Sequence, residues 1–225
     1  MSPRENGRTA RPGLRKPLAL VGVLVVALLA VGGVIAAVEK RDRERDSATG
    51  QYRGSEPPVR IDLPRFRLPT YRGGYVASEG LRGKVVVFTL LDSQCKEACP
   101  IIASVVARTV DRLTPTERSQ IRAIAASTDP AEDTRASVHR FLSARRAEGR
   151  LDYLVGEVAQ LRQLWGELHV LSSLESGNDS LHSAPVRVYD RRLVWVSTLH
   201  AGADLTEDNL LHDIRLALAK QGGDR

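Results

Sequence analysis

The sequence predicts an α/β domain, a mixed sheet flanked by helices, carried behind one N-terminal transmembrane helix. Three observations predict it. Apolar, β-branched runs such as Val85–Leu91 alternate with stretches of helical apolar spacing. The last third changes to strand, strand, helix. Near the start, Leu18 to Val38 holds no charged residue and is almost wholly Leu, Val, Ala, Gly and Ile. Crossover helices between strands imply parallel pairing, and a closing hairpin implies an antiparallel edge.

In chain order, residues 1–16 read as a basic cytoplasmic tail, residues 17–38 as the membrane anchor and residues 39–60 as a linker. The apolar run matches the ~20 residues that span a bilayer. It exceeds the roughly 7–15 residues of a signal-peptide core, so an uncleaved anchor is favoured over a cleaved signal. Lys and Arg flank both ends, so the positive-inside rule leans only weakly toward an N-terminus inside. The formal charge of +6 comprises +4 in residues 1–16 and +1 in residues 39–60, leaving +1 for residues 61–225. That body, poor in aromatics, lacks the clustered basic face of a nucleic-acid binder.

The globular domain is read as 61–225. Ile61–Leu68 is a short extended segment kept to an edge by Pro64 and Pro69, and Arg72-Gly73-Gly74 is a turn. Val85–Leu91 is a strand buried on both faces. After Pro100, apolar residues from Ile101 to Leu113 recur at helical spacing. Ile121–Ala126 is a second buried strand, followed by a turn at Ser127-Thr128-Asp129-Pro130 and a helix from about Ala131 to Gly149. Leu151–Val155 is a third strand and Val158–Trp165 a short helix. Leu168–Leu171 is extended, and 172–183 is a polar loop. Val186–Tyr189 and Leu193–Thr198 form a hairpin around Asp190-Arg191-Arg192. Leu205–Lys220 is a closing helix capped near Asp204 or Thr206.

The only two cysteines, Cys95 and Cys99, stand between the first buried strand and its helix. A strand, a short loop with two thiols, and a helix N-terminus form the thioredoxin-like layout. Ligands in open α/β sheets lie beyond the carboxyl ends of the strands. Thiolates are stabilised at helix N-termini by unpaired N–H groups and the macrodipole. One short bridge cannot staple a domain of this size, so the pair reads as chemistry rather than framework. In an oxidising compartment it can close a disulfide, which supports an extracytoplasmic body.

Two thiolates can also chelate a soft metal, and a third ligand is then sought. His139 and His212 fall inside helices, and His169 lies in a short apolar segment. His200 ends the second hairpin strand. His182 differs: it ends the polar loop just before Val186–Tyr189, where such a loop approaches the thiol end of the sheet.

Four motifs in order resemble the Sco/SenC family of membrane-anchored, thioredoxin-fold copper chaperones for cytochrome c oxidase. Leu81-Arg82-Gly83-Lys84-Val85-Val86-Val87-Phe88 resembles the family's entry to its first core strand. Cys95 to Pro100 fits its Cys-x-x-x-Cys-Pro signature. Ser127 to Thr134 resembles its strand-to-helix turn, and His182-Ser183 the second half of its Asp-His-Ser motif. The resemblance runs from about Leu63 to Ala219. It implies copper held by Cys95, Cys99 and His182, and a partner in the copper subunit of cytochrome c oxidase or another copper or thiol protein. It also implies a single-pass cell-membrane location with the C-terminal domain extracytoplasmic. Two positions depart from the pattern. Leu181 stands where the family has aspartate, and Lys96 where it often has proline. Asp133 and Thr134 read as turn-forming and capping residues.

Three other readings of the thiols remain open. A thiol–disulfide oxidoreductase would cycle Cys95 and Cys99, although its usual spacing has two intervening residues. A peroxidase would want a Pro/Thr-rich loop where Leu91-Asp92-Ser93-Gln94 stands. A sensor or interaction domain would need only a local disulfide.

Overall fold

The computed structural model describes residues 50–168 and 185–220. The anchor at 17–38, the tail before it, the first part of the linker and the loop at 172–183 lie outside them, as do His169, Leu181 and His182. Among the described residues no helix is long and apolar enough to cross a membrane.

A small hairpin comes first: β1 (Arg67–Pro69) pairs antiparallel with β2 (Tyr75–Ala77). Gly73 and Gly74 turn between them at φ 98° and 77°, a backbone region that only glycine enters without strain. A 3₁₀ turn at Ser78–Leu81 leads into the main sheet. Its strands are β3 (Val85–Leu91), β4 (Ile121–Ser127), β5 (Asp152–Leu154), β6 (Val186–Tyr189) and β7 (Trp195–Leu199). Their order is β5-β4-β3-β6-β7, with β3, β4 and β5 parallel and the β6–β7 hairpin antiparallel beside β3.

All seven residues of β3 are buried, because helices cover both faces. Val85, Val87 and Leu91 point to one side. There they meet α1 (Ala98–Asp111), α3 (Arg135–Ala144) and α5 (Glu207–Ala219) through Ile102, Val106, Phe141, Leu210 and Ile214. Val86, Phe88 and Leu90 point to the other, against Leu161, Leu164 and Trp165 of α4 (Val158–Glu167) and against Leu68 and Val76 of the small hairpin. Each such buried side chain contributes about 1.5–3 kcal/mol.

The structure changes several boundaries. The helix expected over 131–149 is α3 alone. The Asp129-Pro130 turn runs on to Thr134, whose side chain accepts the Ser137 N–H and caps the helix. A further short helix, α2 (Pro115–Ser119), fills the α1–β4 connection, closed by a capping box between Thr114 and Glu117. Part of the stretch read as linker is packed on the domain. The backbone N–H groups of Arg53 and Gly54 donate to the wholly buried Asp213 at 2.8 and 3.1 Å, and Ser55 bridges Thr198 of β7. A side chain at Gly54 would collide with Ser197 and the Thr198 carbonyl, so only glycine lets the chain pack this closely on β7.

Candidate thiol and metal site

The loop Asp92–Glu97 carries the chain from the carboxyl end of β3 to α1. Strand β4 lies parallel to β3, so the loop after β4 emerges beside it. Thr128 N–H donates to Leu91 O at 2.9 Å. The Tyr153 hydroxyl, from β5, reaches the same carbonyl at 2.8 Å. Within the loop, Gln94 N–H donates to Asp92 Oδ1 at 2.6 Å.

Cys95 and Cys99 are unlinked; Cys95 is half-buried and Cys99 is 4% exposed. Their sulfurs interact directly. The Cys99 thiol donates to Cys95, and this contact, aided by backbone N–H groups of Cys99, Glu97 and Ala98, holds Cys95 down at about 5 against the opposing effect of burial. The same contact, then burial, pushes the Cys99 thiol far up, while the Asp92 N–H opposes. The pair is therefore one thiolate and one thiol sharing a proton-mediated contact. No side chain caps α1 at Glu97. The Cys95 sulfur takes that place, receiving N–H groups that the first turn of any helix leaves unpaired. Pro100 suits this first turn because it needs no N–H there.

Two carboxylates adjoin the pair. Asp92 is pushed up to about 6, first by burial and then by the charges of Asp133, Asp129 and Cys95, against the Gln94 N–H. Asp133 is 4% exposed and fully engaged: it accepts Ser93 N–H at 2.8 Å, Ser127 Oγ at 2.6 Å and Tyr153 OH at 2.7 Å. Trp165 Nε1 in turn donates to Ser127 O at 3.0 Å. The sequence assigns Asp133 to the turn and the cap. Thr134 does cap, but Asp133 instead ties the thiol loop to β4 and β5. The signal that could have found it is topological: loops after neighbouring parallel strands meet.

The histidines separate as follows. His139 lies on the exposed face of α3 beside Glu148, and His212 on α5 contacts Gln51 O. His200 is half-buried, its backbone N–H bonded to Asp204. Among the described residues no group of three His, Cys, Asp or Glu side chains is arranged to hold a metal. The expected third ligand, His182, belongs to the stretch outside them. Strand β6 runs antiparallel to β3, with Arg187 opposite Phe88. The chain therefore enters β6 from the end of the sheet where the thiols stand.

Solved structures with this architecture include BsSco, a member of the Sco family of cytochrome c oxidase assembly proteins (16% identity, TM-score 0.62, covering 74% of this chain and 99% of that one). Yeast Sco1 with copper bound matches at 18% identity and TM-score 0.59, over 72% and 91% of the two chains. Apo Sco1 from Thermus thermophilus matches at 19% and 0.60, over 73% and 96%. At these identities the likeness establishes the fold, a thioredoxin-like sheet flanked by helices. No curated protein sequence matches the chain. The SCO1/SenC family model matches residues 58–219, from the segment packed beside β7 through the thiol loop to the end of α5. By that match, over most of its length, the chain belongs to the SCO1/SenC family.

Proposed function

We propose that this protein is a membrane-anchored copper metallochaperone that assists assembly of the copper site of cytochrome c oxidase. The observation that carries this reading is the contact between the Cys95 and Cys99 sulfurs at the N-terminus of α1. Two soft sulfur donors suit Cu(I), and the surrounding backbone N–H groups offset the charge of a dithiolate. His182 as neutral imidazole completes the ligand set. The direction from which the chain enters β6 supports this, because only three residues separate His182 from Val186. Three ligands leave one side open, so copper is cargo that leaves by ligand exchange with the partner's own donors. The anchor at 17–38 keeps the domain at the outer face of the membrane, where the oxidase copper subunit is reached.

The test is a Cu(I) titration of the full chain, reduced under nitrogen in a non-ionic detergent, against a competing chelator. One tight equivalent is expected, lost or much weakened in Cys95→Ala and His182→Ala. Full affinity in Cys95→Ala would overturn the assignment.

A second reading has its own support, the asymmetry of the pair. A half-exposed thiolate beside a buried thiol is the arrangement of an attacking and a resolving cysteine. Cys95 would attack a partner disulfide and release one partner thiolate. Cys99 would then lose its proton, attack the Cys95 sulfur and release the second. The partner is reduced by two electrons and the pair is left as a disulfide. Equilibration with a dithiol–disulfide buffer reads this directly. A pair that stays fully reduced even in strongly oxidising buffer would eliminate it.

A further inference from the structure

A separate cavity of about 680 Å³ opens on the outer side of α3. Arg135 and Arg140 project from that helix, and neither guanidinium has a hydrogen-bond or carboxylate partner among the described residues. Ala136 lies between them, and its methyl leaves the space open. Arg72 closes the opposite wall, held by its Nε bond to Tyr71 OH at 2.8 Å and by Glu148 at 3.1 Å.

Glu148 is the one carboxylate at the cavity. It is committed already: Ser143 Oγ donates to it at 2.9 Å, Arg72 pairs with it, and His139 Nε2 lies at 3.4 Å. Three guanidiniums thus face one satisfied acid. The surrounding chain raises the imbalance. From Arg135 to Arg150 there are five arginines and one histidine against Glu148 alone. Several other arginines are paired with carboxylates, as in Arg122–Asp152, Arg150–Asp111 and Arg215–Glu117. Arg135 and Arg140 share one concave site with no carboxylate left, among the described residues, to pair with either.

Guanidinium forks match carboxylate and phosphate oxygens in a bidentate manner, and a concave site of roughly 300–1,000 Å³ is the size that takes a small ligand. We propose that this cavity binds a small, multiply charged oxyanion, with Arg135 and Arg140 as the two forks and Arg72 as a fixed third contact. The site is independent of the thiols. It uses none of their residues.

Two probes separate the sources of such an anion, inorganic phosphate and citrate, each titrated calorimetrically into the full chain in non-ionic detergent at constant ionic strength. Saturable binding at one site is expected for at least one probe, phosphate alone marking a phosphoanion site and citrate alone a polycarboxylate site. Affinity should fall at least tenfold in the Arg135→Ala/Arg140→Ala variant. Ala136→Leu keeps every charge and fills the opening from an exposed helical position, so it should also abolish binding. Unchanged far-ultraviolet circular dichroism would show that both variants fold. Binding that is unsaturable, or that survives Ala136→Leu, would reduce the effect to diffuse attraction and overturn the proposal.

Discussion

Asp133 accepts the Ser93 backbone N–H at 2.8 Å, so a residue that follows β4 fixes a loop that follows β3. Two residues beyond Ser93 stands Cys95. The position of the reactive sulfur therefore depends on a carboxylate 38 residues further along the chain. It also depends on the strand pairing that brings the two loops together.

Asp133→Ala should destabilise the domain by about 3 kcal/mol, because it leaves the Ser127 hydroxyl and the Ser93 N–H without their acceptor and the Tyr153 hydroxyl with the Leu91 carbonyl alone. Tyr153→Phe should cost less, about 1 kcal/mol, since it removes one donor and keeps the ring packed on Phe141. Urea unfolding of both variants measures the difference. Equal losses would mean that Asp133 does not organise the cluster.

The thiol pair makes stability depend on pH in a bell. Cys95 is lowered to about 5 from an ordinary 9.0, and Cys99 is raised far above it. Below pH 5 the folded and unfolded chains both keep two protons. Between 5 and 9 the unfolded chain holds one more, so stability rises with pH. Above 9 the folded protein retains the Cys99 proton that the unfolded chain has lost, and stability falls. The contribution should peak near pH 9, measured as the unfolding difference between the reduced protein and Cys95→Ser/Cys99→Ser. A monotonic difference across that range would contradict the shared-proton contact.

Alkylation by iodoacetamide should report the same asymmetry kinetically. The rate at Cys95 should rise through a midpoint near pH 5 and be level by neutral pH, with Cys99 unlabelled. Cys99→Ala removes the thiol that donates to Cys95, so the midpoint should move to higher pH. Mass-spectrometric mapping of the labelled peptide checks both statements.

Gly54→Ala should cost about 1–3 kcal/mol, the usual consequence of overpacking. Its Cβ would sit 2.5 Å from Thr198 O in rigid backbone. Thermal unfolding gives the loss. Faster limited proteolysis between residues 50 and 60 would locate it.

A milder loss, about 1 kcal/mol, is expected for Thr114→Ala, which opens the capping box of α2. Its partner Glu117 also holds Arg215 of α5 at 2.8 Å. Glu117→Ala should therefore cost more than Thr114→Ala in the same unfolding assay.

The parts of the fold legible in sequence were those governed by continuous burial or strong periodicity. β3 reads directly because every residue from Val85 to Leu91 is apolar or small enough to be covered on both faces. Helix α1 reads because its apolar stripe faces one partner layer. The small hairpin escaped because three-residue strands carry no period, and Tyr75 is exposed. The packing of residues 53–55 escaped because its cause is a backbone contact to Asp213, which no composition of the segment itself records. At the site, the thiols were legible from spacing and the helix entry. The roles of Asp92 and Asp133 were not, since each depends on which loops the sheet order makes neighbours.

The clamp of Arg53 and Gly54 on Asp213 has a mechanical consequence. A pull arriving along the preceding chain enters the domain at α5 and at β7, the outermost strand of its sheet. Strand β6 stands between that load-bearing edge and β3, from whose far end the thiols hang. A pull arriving there would load β7 in shear and reach α5 through the buried carboxylate; because the Arg108–Glu207 and Arg112–Asp208 ion pairs join α5 to α1, the helix that carries Cys99 shares that load.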